Sequence, residues 1–333
     1  MTIILTDQDV RRTVDVQGAL DALESAYREE WAGRTEITER VNLRFEGGWL
    51  RLMAAALPGL GVVGYKEFHL VDGVVRFQVN LFDIVTGEFL AAVDGNYLTV
   101  LRTASTACLA AAKLAPHARR IGVIGSGAEA RMQATVISGL LDVERIRVHS
   151  PRAERREGFA RELSERLGMR IDPVADAAEA VADADLVLVA TNTAGNGPAF
   201  FADRLPARVH ISSTGSTLPE ERELDTGVWA TPGLVVVDRL QALEESGDAV
   251  AALRAGTLDR ERVITLAELC GRTSDTPPPA RTLFKSVGSP LQDVAVAAYA
   301  HRRARAEGLG TELSGFPSTK GSVPVPALFG GAR

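Results

Sequence analysis

A glycine-rich turn between a strand-like and a helix-like segment constrains this sequence most. Residues 120–134 read RIGVIGSGAEARMQA, so that an apolar run ends at Gly125, Gly127 follows, and Ala130 lies in a helix-period pattern. The first glycine permits a tight bend, the second lets the backbone approach a pyrophosphate, and a small third residue lets helix and strand pack. Amide groups at the helix N-terminus then face the phosphates. The pattern predicts a dinucleotide site, the alternative being a glycine turn without a nucleotide.

The segments around this turn follow a β-α-β order. Strand-like runs at 120–124, 145–150, 184–191, 209–215 and 234–238 are joined through helix-like stretches at 128–140 and 152–167. This order predicts an α/β fold with a Rossmann-type, doubly wound parallel sheet.

The residues ahead of the turn have a different pattern. Helical periodicity covers 7–31, where Asp7 or Asp9 is the expected cap, and short strand-like runs separated by glycine turns occupy 41–93. These runs predict an antiparallel sheet, followed by an alanine-rich helix at 99–115. A last helix is expected from near Pro290 to near Glu307, and the Pro- and Gly-rich residues 315–333 are expected to form an irregular arm.

The end of the second strand bears on the choice of cofactor. An enzyme that uses NAD usually has an acidic residue there for the ribose 2′-hydroxyl, whereas cations suit the 2′-phosphate of NADP. Here Ser150 is followed by Arg152, Arg155 and Arg156. We therefore predict a preference for NADP(H), with Ser150 and Arg152 as contacts; a solvated basic helix start, with NAD(H) bound, is the alternative.

Composition excludes several classes of protein. The formal net charge is −6 across 333 residues, which argues against a surface for nucleic acid or anionic membranes. There is no apolar run of about 20 residues and no signal-peptide pattern at the N-terminus, so we expect a cytoplasmic protein with a small-molecule partner. Cys108 and Cys270 lie in apolar contexts that favour burial over a disulfide or a nucleophile. No metal site is predicted.

Several spaced motifs resemble the ornithine cyclodeaminase/mu-crystallin family. The resemblance covers roughly residues 5–310 and rests on YLTVLRTA at 97–104 with Asp83, Thr86-Gly87 and Asp94-Gly95 before it, on Thr191-Asn192, and on residues 215–225 and 284–293. It implies that residues 1–117 and 290–333 form a substrate and dimerisation domain, that 118–289 form the NAD(P)-binding domain, and that the chain is a homodimer.

The resemblance also implies roles for individual residues. Arg40, or Arg44 as its alternate, would hold a substrate carboxylate, and Lys66 would contact the substrate. Arg102 would face the cofactor phosphates, its alternative being an ordinary surface arginine. The cofactor contacts expected from the turn and the family are Gly125, Gly127, Ala128, Glu129, Thr191, Ser213, Thr214 and Ser286.

Physical chemistry supports two of these roles. Arginine suits bidentate pairing with a carboxylate, and a lysine within an apolar strand is costly unless it is paired or lies on an edge strand.

Other residues are predicted to set specificity or to have structural roles. The predicted specificity residues are Met53, Leu57, Phe68, Phe77 and Val287. Lys285 is interpreted as solvated, and Glu223, Asp225 and Asp293 as acids in the first turn of a helix, where they favour the dipole.

One departure from the family pattern bears on activity. Cyclodeaminases carry an aspartate six residues before the Glu of the R-E-L motif, and here that position is Thr217. A hydroxyl does not transfer protons at neutral pH as a carboxyl does. We therefore predict an imine reductase or amino-acid dehydrogenase that transfers hydride from NADPH to C2 of an α-imino acid. Arg40 and Lys66 would hold the carboxylate, and Lys66 would supply a proton or polarise the imine nitrogen. An ornithine cyclodeaminase and a non-enzymatic NADPH-dependent binding protein remain as alternatives.

Overall fold

Two β-sheets organise the chain, whose computed structural model describes residues 2–193, 195–273 and 276–317. The elements before the glycine-rich turn are β1 (Thr2–Leu5), α1 (Asp7–Thr13), α2 (Val16–Trp31), β2 (Glu36–Ile37), β3 (Val41–Phe45), β4 (Gly48–Leu57), β5 (Val62–Val71), β6 (Val74–Asp83), β7 (Phe89–Asp94) and α3 (Gly95–Leu114).

The second sheet begins with β8. Its region contains β8 (Arg120–Ile124), α4 (Ala128–Leu140), β9 (Arg145–His149), α5 (Ala153–Leu167), β10 (Ile171–Val174), α6 (Ala177–Val181), β11 (Leu186–Val189), β12 (Val209–Ser213), α7 (Thr226–Ala230), β13 (Leu234–Val237), α8 (Ala242–Glu245), α9 (Gly247–Arg254), β14 (Val263–Thr265), α10 (Leu266–Gly271) and β15 (Arg281–Lys285). The chain then returns to the first sheet through α11 (Pro290–Glu307) and β16 (Thr311–Leu313).

The second sheet is parallel throughout the described ranges, in the order β10-β9-β8-β11-β12-β15-β13-β14. The order reverses between β8 and β11, and ligands of such sheets bind beyond the carboxyl ends of the strands at this point. The predicted Rossmann-type sheet is confirmed.

The first sheet has the order β16-β1-β7-β6-β5-β4-β2, with β3 also paired to β4. The pairs from β4 to β7 are antiparallel, as the glycine-separated runs predict. β1 and β16 were not predicted, because each has only a few residues and no alternation that distinguishes it. The predicted arm at 315–333 lies mostly outside the described residues.

The helices near the N-terminus differ from the prediction. The helix expected over 7–31 is two helices, because Asp15 caps α2 by accepting a hydrogen bond from the Gly18 amide at 2.7 Å. The cap of α1 is Thr6, not Asp7 or Asp9; Asp9 instead completes a capping box with Thr6. A short polar residue between two helical patterns starts a new helix rather than continuing the old one.

Helix α3 joins the two sheets. It packs against β6 of the first sheet and against β12 and β15 of the second. It is longer than the predicted 99–115 because Asp94 caps it by accepting from the Asn96 amide. Helix α11 packs on α3 and on the β4–β6 face. Residues of β4 and β5 and residues that follow β8, β11 and β12 line one cavity, so the first sheet faces the carboxyl ends of these strands.

None of the helices in the described ranges has the length and apolarity needed to cross a bilayer. Cys108 and Cys270 are buried and unbridged, as predicted.

Candidate active site

A cavity of about 580 Å³ lies between the two sheets. Its wall brings together most of the predicted site residues: Arg40, Met53, Lys66, Phe68, Phe77, Arg102, Gly125, Gly127, Ala128, Glu129, Ser150, Arg152, Thr191, Thr214, Ser286 and Val287. Ser213 does not line the cavity; it is buried behind it. Arg44 is exposed on β3 and also lies off the wall, as does the buried Leu57.

The glycine-rich turn forms one end of the cavity. Gly125 has φ of +118°, and a Cβ there would approach the Ala190 carbonyl oxygen to 2.2 Å, so glycine is required at this position. Gly127 caps α4, and a Cβ there would have no protein atom within 4 Å. An open backbone at a helix N-terminus is the cradle that a pyrophosphate needs. The residues at this end therefore fit a dinucleotide.

The end of β9 lies beside this turn. Ser150 accepts a hydrogen bond from the Ser126 hydroxyl at 3.0 Å, and Arg152 is the first residue before α5. Arg156 donates to the Ser150 carbonyl at 3.2 Å, whereas Arg152 and Arg155 line the cavity. This corner is basic and contains no carboxylate among the lining residues.

Lys66 lies on the opposite wall, in the middle of β5. Its Nζ donates to Thr99 Oγ1 at 2.8 Å and to Asp293 Oδ1 at 2.9 Å, and it lies 4.8 Å from the Phe77 ring centroid. The edge-strand alternative is wrong, because β5 is paired on both sides along its length. Burial lowers the pKa of Lys66 to about 8, although the Asp293 charge acts in the opposite direction.

Arg102 shares the same carboxylate. Its Nε donates to Asp293 Oδ1 at 2.9 Å and its Nη1 to Gln292 Oε1 at 2.7 Å, and it is 6% exposed. The surface-arginine alternative is therefore wrong. Asp293 lies in the first turn of α11, as predicted. The predicted dipole role was incomplete, because the Asp293 carboxylate also forms ion pairs with both Lys66 and Arg102.

Lys285 corrects a second prediction. It is fully buried, not solvated, and its Nζ donates to Ser213 Oγ at 2.8 Å and to Asp248 Oδ2 at 3.1 Å. It also lies 3.4 Å from Glu223 Oε1. The cluster of Lys285, Glu223 and Asp248 was not predictable from residue spacing, because Asp248 lies on α9, a helix that was not predicted.

Glu223 holds the loops at the ends of β11 and β12. Its carboxylate accepts from the Thr191 amide and the Gly215 amide at 2.9 and 2.6 Å, and from Ser213 Oγ at 2.6 Å. The prediction that Glu223 lies in the first turn of a helix is wrong, because α7 begins only at Thr226. Asp225 was also expected in the first turn of a helix, but it lies just before α7 as its N-cap and accepts from the Gly227 amide at 2.8 Å.

The segment after β15 closes the remaining side. Asp238 Oδ2 accepts from the Ser286 hydroxyl at 2.7 Å and from the Val287 and Gly288 amides at 3.0 and 2.7 Å. Arg40 Nη2 donates to the Val287 and Gly288 carbonyls at 2.6 and 2.8 Å. These contacts fix the loop over the cavity.

Proton donors and acceptors are few among the described lining residues. Thr217 lines the cavity at the position of the family aspartate, and Glu129 is the one carboxyl on the wall. Burial raises the pKa of Glu129 to about 7, against the effect of the Arg102 and Lys66 charges. The described residues contain no group of three or more His, Cys, Asp or Glu placed to hold a metal ion.

Comparison with known proteins identifies the group to which this architecture belongs. A sequence model described as the ornithine cyclodeaminase/mu-crystallin family matches residues 1–308. A Δ1-pyrroline-2-carboxylate reductase of Bacillus cereus is 30% identical over 328 residues, covering 93% of this chain and 99% of that protein.

Two solved structures have the same fold over nearly their whole lengths. The Δ1-pyrroline-2-carboxylate reductase of Thermococcus litoralis, in complex with NADH and L-proline, has a TM-score of 0.86 and 27% identity, covering 93% of this chain and 100% of that chain. An archaeal alanine dehydrogenase, described as a dimer with bound NAD, also has a TM-score of 0.86 and 27% identity, covering 95% of this chain and 99% of that one.

Proposed function

Because this chain belongs to the ornithine cyclodeaminase/mu-crystallin family, we propose that it is an oxidoreductase that reduces an α-imino acid to the amino acid with NADPH. The substrate is a cyclic ketimine, or an imine formed from an α-keto acid and an amine. The relatives described above act on imino and amino acids, which supports this reaction class.

The observation that carries the proposal is the environment of Lys66. Two of its three N–H groups are held by Thr99 and Asp293, which leaves one to point at a ligand. A pKa of about 8 keeps the ammonium protonated at neutral pH and still lets it release a proton. A cavity-lining lysine with these properties suits protonation of an imine nitrogen.

The cofactor and the protein side chains supply different parts of the proposed reaction. A bound nicotinamide would supply the hydride that reduces C2 of the substrate. Lys66 Nζ gives a proton to the imine nitrogen and is reprotonated from solvent. The cations on the wall bind the substrate carboxylate, and the loop fixed by Asp238 and Arg40 limits access of water from that side.

The preference for NADPH rests on the corner at the end of β9. Arg152 and Arg155 line the cavity there, and none of the described lining residues beside them has a carboxylate to bind a ribose hydroxyl. Affinities for NADPH and NADH, measured by fluorescence titration, test this. We expect replacing both arginines with alanine to weaken NADPH binding and leave NADH binding nearly unchanged; equal losses for both cofactors would count against the preference.

A homodimer built on the first sheet is part of the proposal, together with the domain division at 1–117, 118–289 and 290–333. Val41, Leu43 and Phe45 alternate along β3, and each is about half exposed, which suits an apolar interface. The archaeal alanine dehydrogenase is described as a dimer. Light scattering of the purified chain gives the mass directly, and a monomer at micromolar concentration would contradict this part.

The position of Glu129 favours a second candidate function, a cyclodeaminase. Its side chain is a carboxyl on the cavity wall whose pKa is raised by burial to about 7, which suits proton transfer at neutral pH, although it is on α4 rather than at position 217. Ammonia release from L-ornithine with catalytic NAD would identify this activity.

The deciding experiment follows NADPH oxidation by absorbance against cyclic imino acids and against α-keto acids mixed with amines, with NADH in parallel. We expect oxidation with at least one imino acid, faster with NADPH. No oxidation across the panel would reject the reductase and leave the cyclodeaminase or a binding protein.

A further inference from the structure

Three charged side chains lie together in the interior, behind the carboxyl ends of β11 and β12. Lys285 Nζ is 3.4 Å from Glu223 Oε1 and 3.1 Å from Asp248 Oδ2, and none of the three side chains is more than 1% exposed. We call these three residues the charge cluster. Two carboxylates face one ammonium there, and charges are costly to bury. The reaction proposed above uses none of them.

The Glu223 carboxylate is surrounded by hydrogen-bond donors. It accepts from the Thr191 amide and hydroxyl at 2.9 and 3.0 Å, and from the Gly215 amide and the Ser213 hydroxyl, both at 2.6 Å. Ser213 Oγ in turn accepts from Lys285 Nζ at 2.8 Å. A carboxyl group that accepts several such bonds is held in its ionised form. Glu223 is therefore a buried anion.

Asp248 supports Glu223 from the side away from the cavity. Its Oδ1 accepts from the amides of Glu223 and Leu224, each at 2.9 Å, and its Oδ2 accepts from Lys285 Nζ. Burial raises the pKa of Asp248, and the Lys285 charge acts in the opposite direction. The two amides and the ammonium favour the carboxylate. Two carboxylates and one ammonium leave one negative charge of the cluster in excess.

This excess charge lies behind one end of the cavity. Thr191 and Gly215, which Glu223 holds, both line the cavity and follow β11 and β12, whereas Ser150 and Arg152 follow β9 on the other side of β8. A dinucleotide on such a sheet has its pyrophosphate at the turn after the first strand and its adenosine ribose at the end of the second. The nicotinamide half then extends over the ends of β11 and β12.

The walls of the cavity carry an excess of positive charge. The described lining residues include one carboxyl, that of Glu129, and six cations: Arg40, Arg51, Lys66, Arg102, Arg152 and Arg155. Loss of a hydride leaves a nicotinamide ring with a positive charge, which cations nearby disfavour. A negative charge behind the strand ends acts in the opposite sense.

We propose that the Glu223 carboxylate stabilises the oxidised, positively charged nicotinamide, and that Lys285 and Asp248 keep this carboxylate buried, ionised and in place. The hydride takes two electrons to C2 of the substrate, and the excess charge of the cluster offsets the positive charge left on the ring. The inference rests on the proposed function only for the presence of a nicotinamide dinucleotide, and it applies to NADP and NAD alike. Glu223 is a positioning residue, because Thr191 lies between it and the cavity.

The test compares the affinities of the two oxidation states of the cofactor. Kd values for NADP⁺ and NADPH, and in parallel for NAD⁺ and NADH, are measured by calorimetry without any substrate. The ratio of the two Kd values gives the reduction potential of the bound cofactor relative to the free one, at about 30 mV for each factor of ten. A residue that only supports the fold changes both affinities and leaves the ratio alone.

Two substitutions of one residue separate charge from geometry. Glu223→Gln keeps the length of the side chain and loses its charge, whereas Glu223→Asp keeps the charge and shortens the reach to Thr191 and Gly215. Asp248→Asn removes a cluster charge that bonds no described lining residue. Asp225→Asn is the matched control, because this acid caps α7 two residues along the chain. Melting temperatures show which variants are folded.

We expect Glu223→Gln to weaken NADP⁺ binding by about tenfold more than NADPH binding, which is the lower end of the effect that one nearby charge has on a cation. The potential of the bound cofactor then rises by about 30 mV, and NAD⁺ with NADH should show the same shift. Glu223→Asp should weaken both oxidation states by a common factor. Asp248→Asn should shift the ratio in the same direction but less, and Asp225→Asn should leave it unchanged.

The outcomes separate this proposal from the reductase. An unchanged ratio in folded Glu223→Gln, or an equal shift in Glu223→Asp, would overturn it and make the cluster a structural support only. If Glu223→Gln does not fold, an unchanged ratio in Asp248→Asn decides against it in the same way. A shift confined to the charge-removing variants supports it even when no imino acid is reduced. A wild-type protein that binds no nicotinamide dinucleotide would overturn it together with the proposed function.

Discussion

Replacing Asp293 with asparagine changes the charge around Lys66 without changing its shape. Asp293 Oδ1 accepts from both Lys66 and Arg102 at 2.9 Å, so the variant leaves two cations side by side with no carboxylate between them. An opposite charge at this range moves a pKa by about 1–3 units. Loss of that charge should lower the pKa of Lys66 from about 8 to roughly 6.

The effect on rate follows from the protonated fraction of Lys66. A lysine of pKa ~8 is about 90% protonated at pH 7, whereas one of pKa ~6 is about 10% protonated, which is close to a tenfold loss or ~1.4 kcal/mol. Since Lys66 must be protonated to act as the acid, activity is lost as pH rises through its pKa. The alkaline limb of the kcat/KM profile should therefore move down by about 2 pH units in the variant, and the two enzymes should converge at low pH.

The assay is the initial rate of imino-acid-dependent NADPH oxidation between about pH 5.5 and 9.5, a span that covers both expected limbs. The substrate's own ionisation is common to all variants and cancels in the comparison. Asp225→Asn is the matched control, because Asp225 caps α7 away from the cavity. A folded Asp293→Asn enzyme with an unmoved alkaline limb would refute the role given to Lys66 as the acid, or the role of Asp293 in setting its charge.

Three further expectations rest on particular contacts. Lys66→Met should lower kcat by about 10²–10⁴-fold while NADPH affinity stays nearly unchanged, and retained turnover would remove Lys66 from the mechanism. Lys285→Met leaves two carboxylates facing each other in the interior and should cost about 3–5 kcal/mol of unfolding free energy in urea, whereas Lys113→Met, at a partly exposed ion pair with Glu24, should cost less than ~1 kcal/mol. Gly125→Ala should lower the melting temperature because its Cβ meets a carbonyl at 2.2 Å, while Gly127→Ala should fold normally and lose NADPH affinity; similar melting curves for both would contradict the turn geometry.

The parallel sheet and the nucleotide turn were predictable because their causes are local. The bend at Gly125, the open backbone at Gly127 and the start of α4 depend on adjacent residues, and the predicted bounds of α4 agree with the structure. The prediction of helices and strands from local sequence was wrong where a capping residue starts a new helix, as Asp15 does between α1 and α2. It also missed strands of few residues, such as β1.

The chemical assignments were harder to predict for a different reason. Residue identity does not distinguish a solvated lysine from a buried one. Lys285 was expected to be solvated, but it is buried and donates hydrogen bonds to Ser213 and Asp248. Arg51 has no distinguishing motif, and only the pairing of β4 with β5 shows that it lines the cavity beside Lys66.

The sequence by itself determined that a dinucleotide-binding turn follows a separate antiparallel sheet, and it named most of the residues that line the cavity. Only the tertiary structure decided how their charges are paired. Lys66 and Asp293 are 227 residues apart, and Arg102 and Asp293 are 191 apart. The pKa of a buried group depends on which charges fold against it, and contacts across such separations exist only once α11 packs on the first sheet.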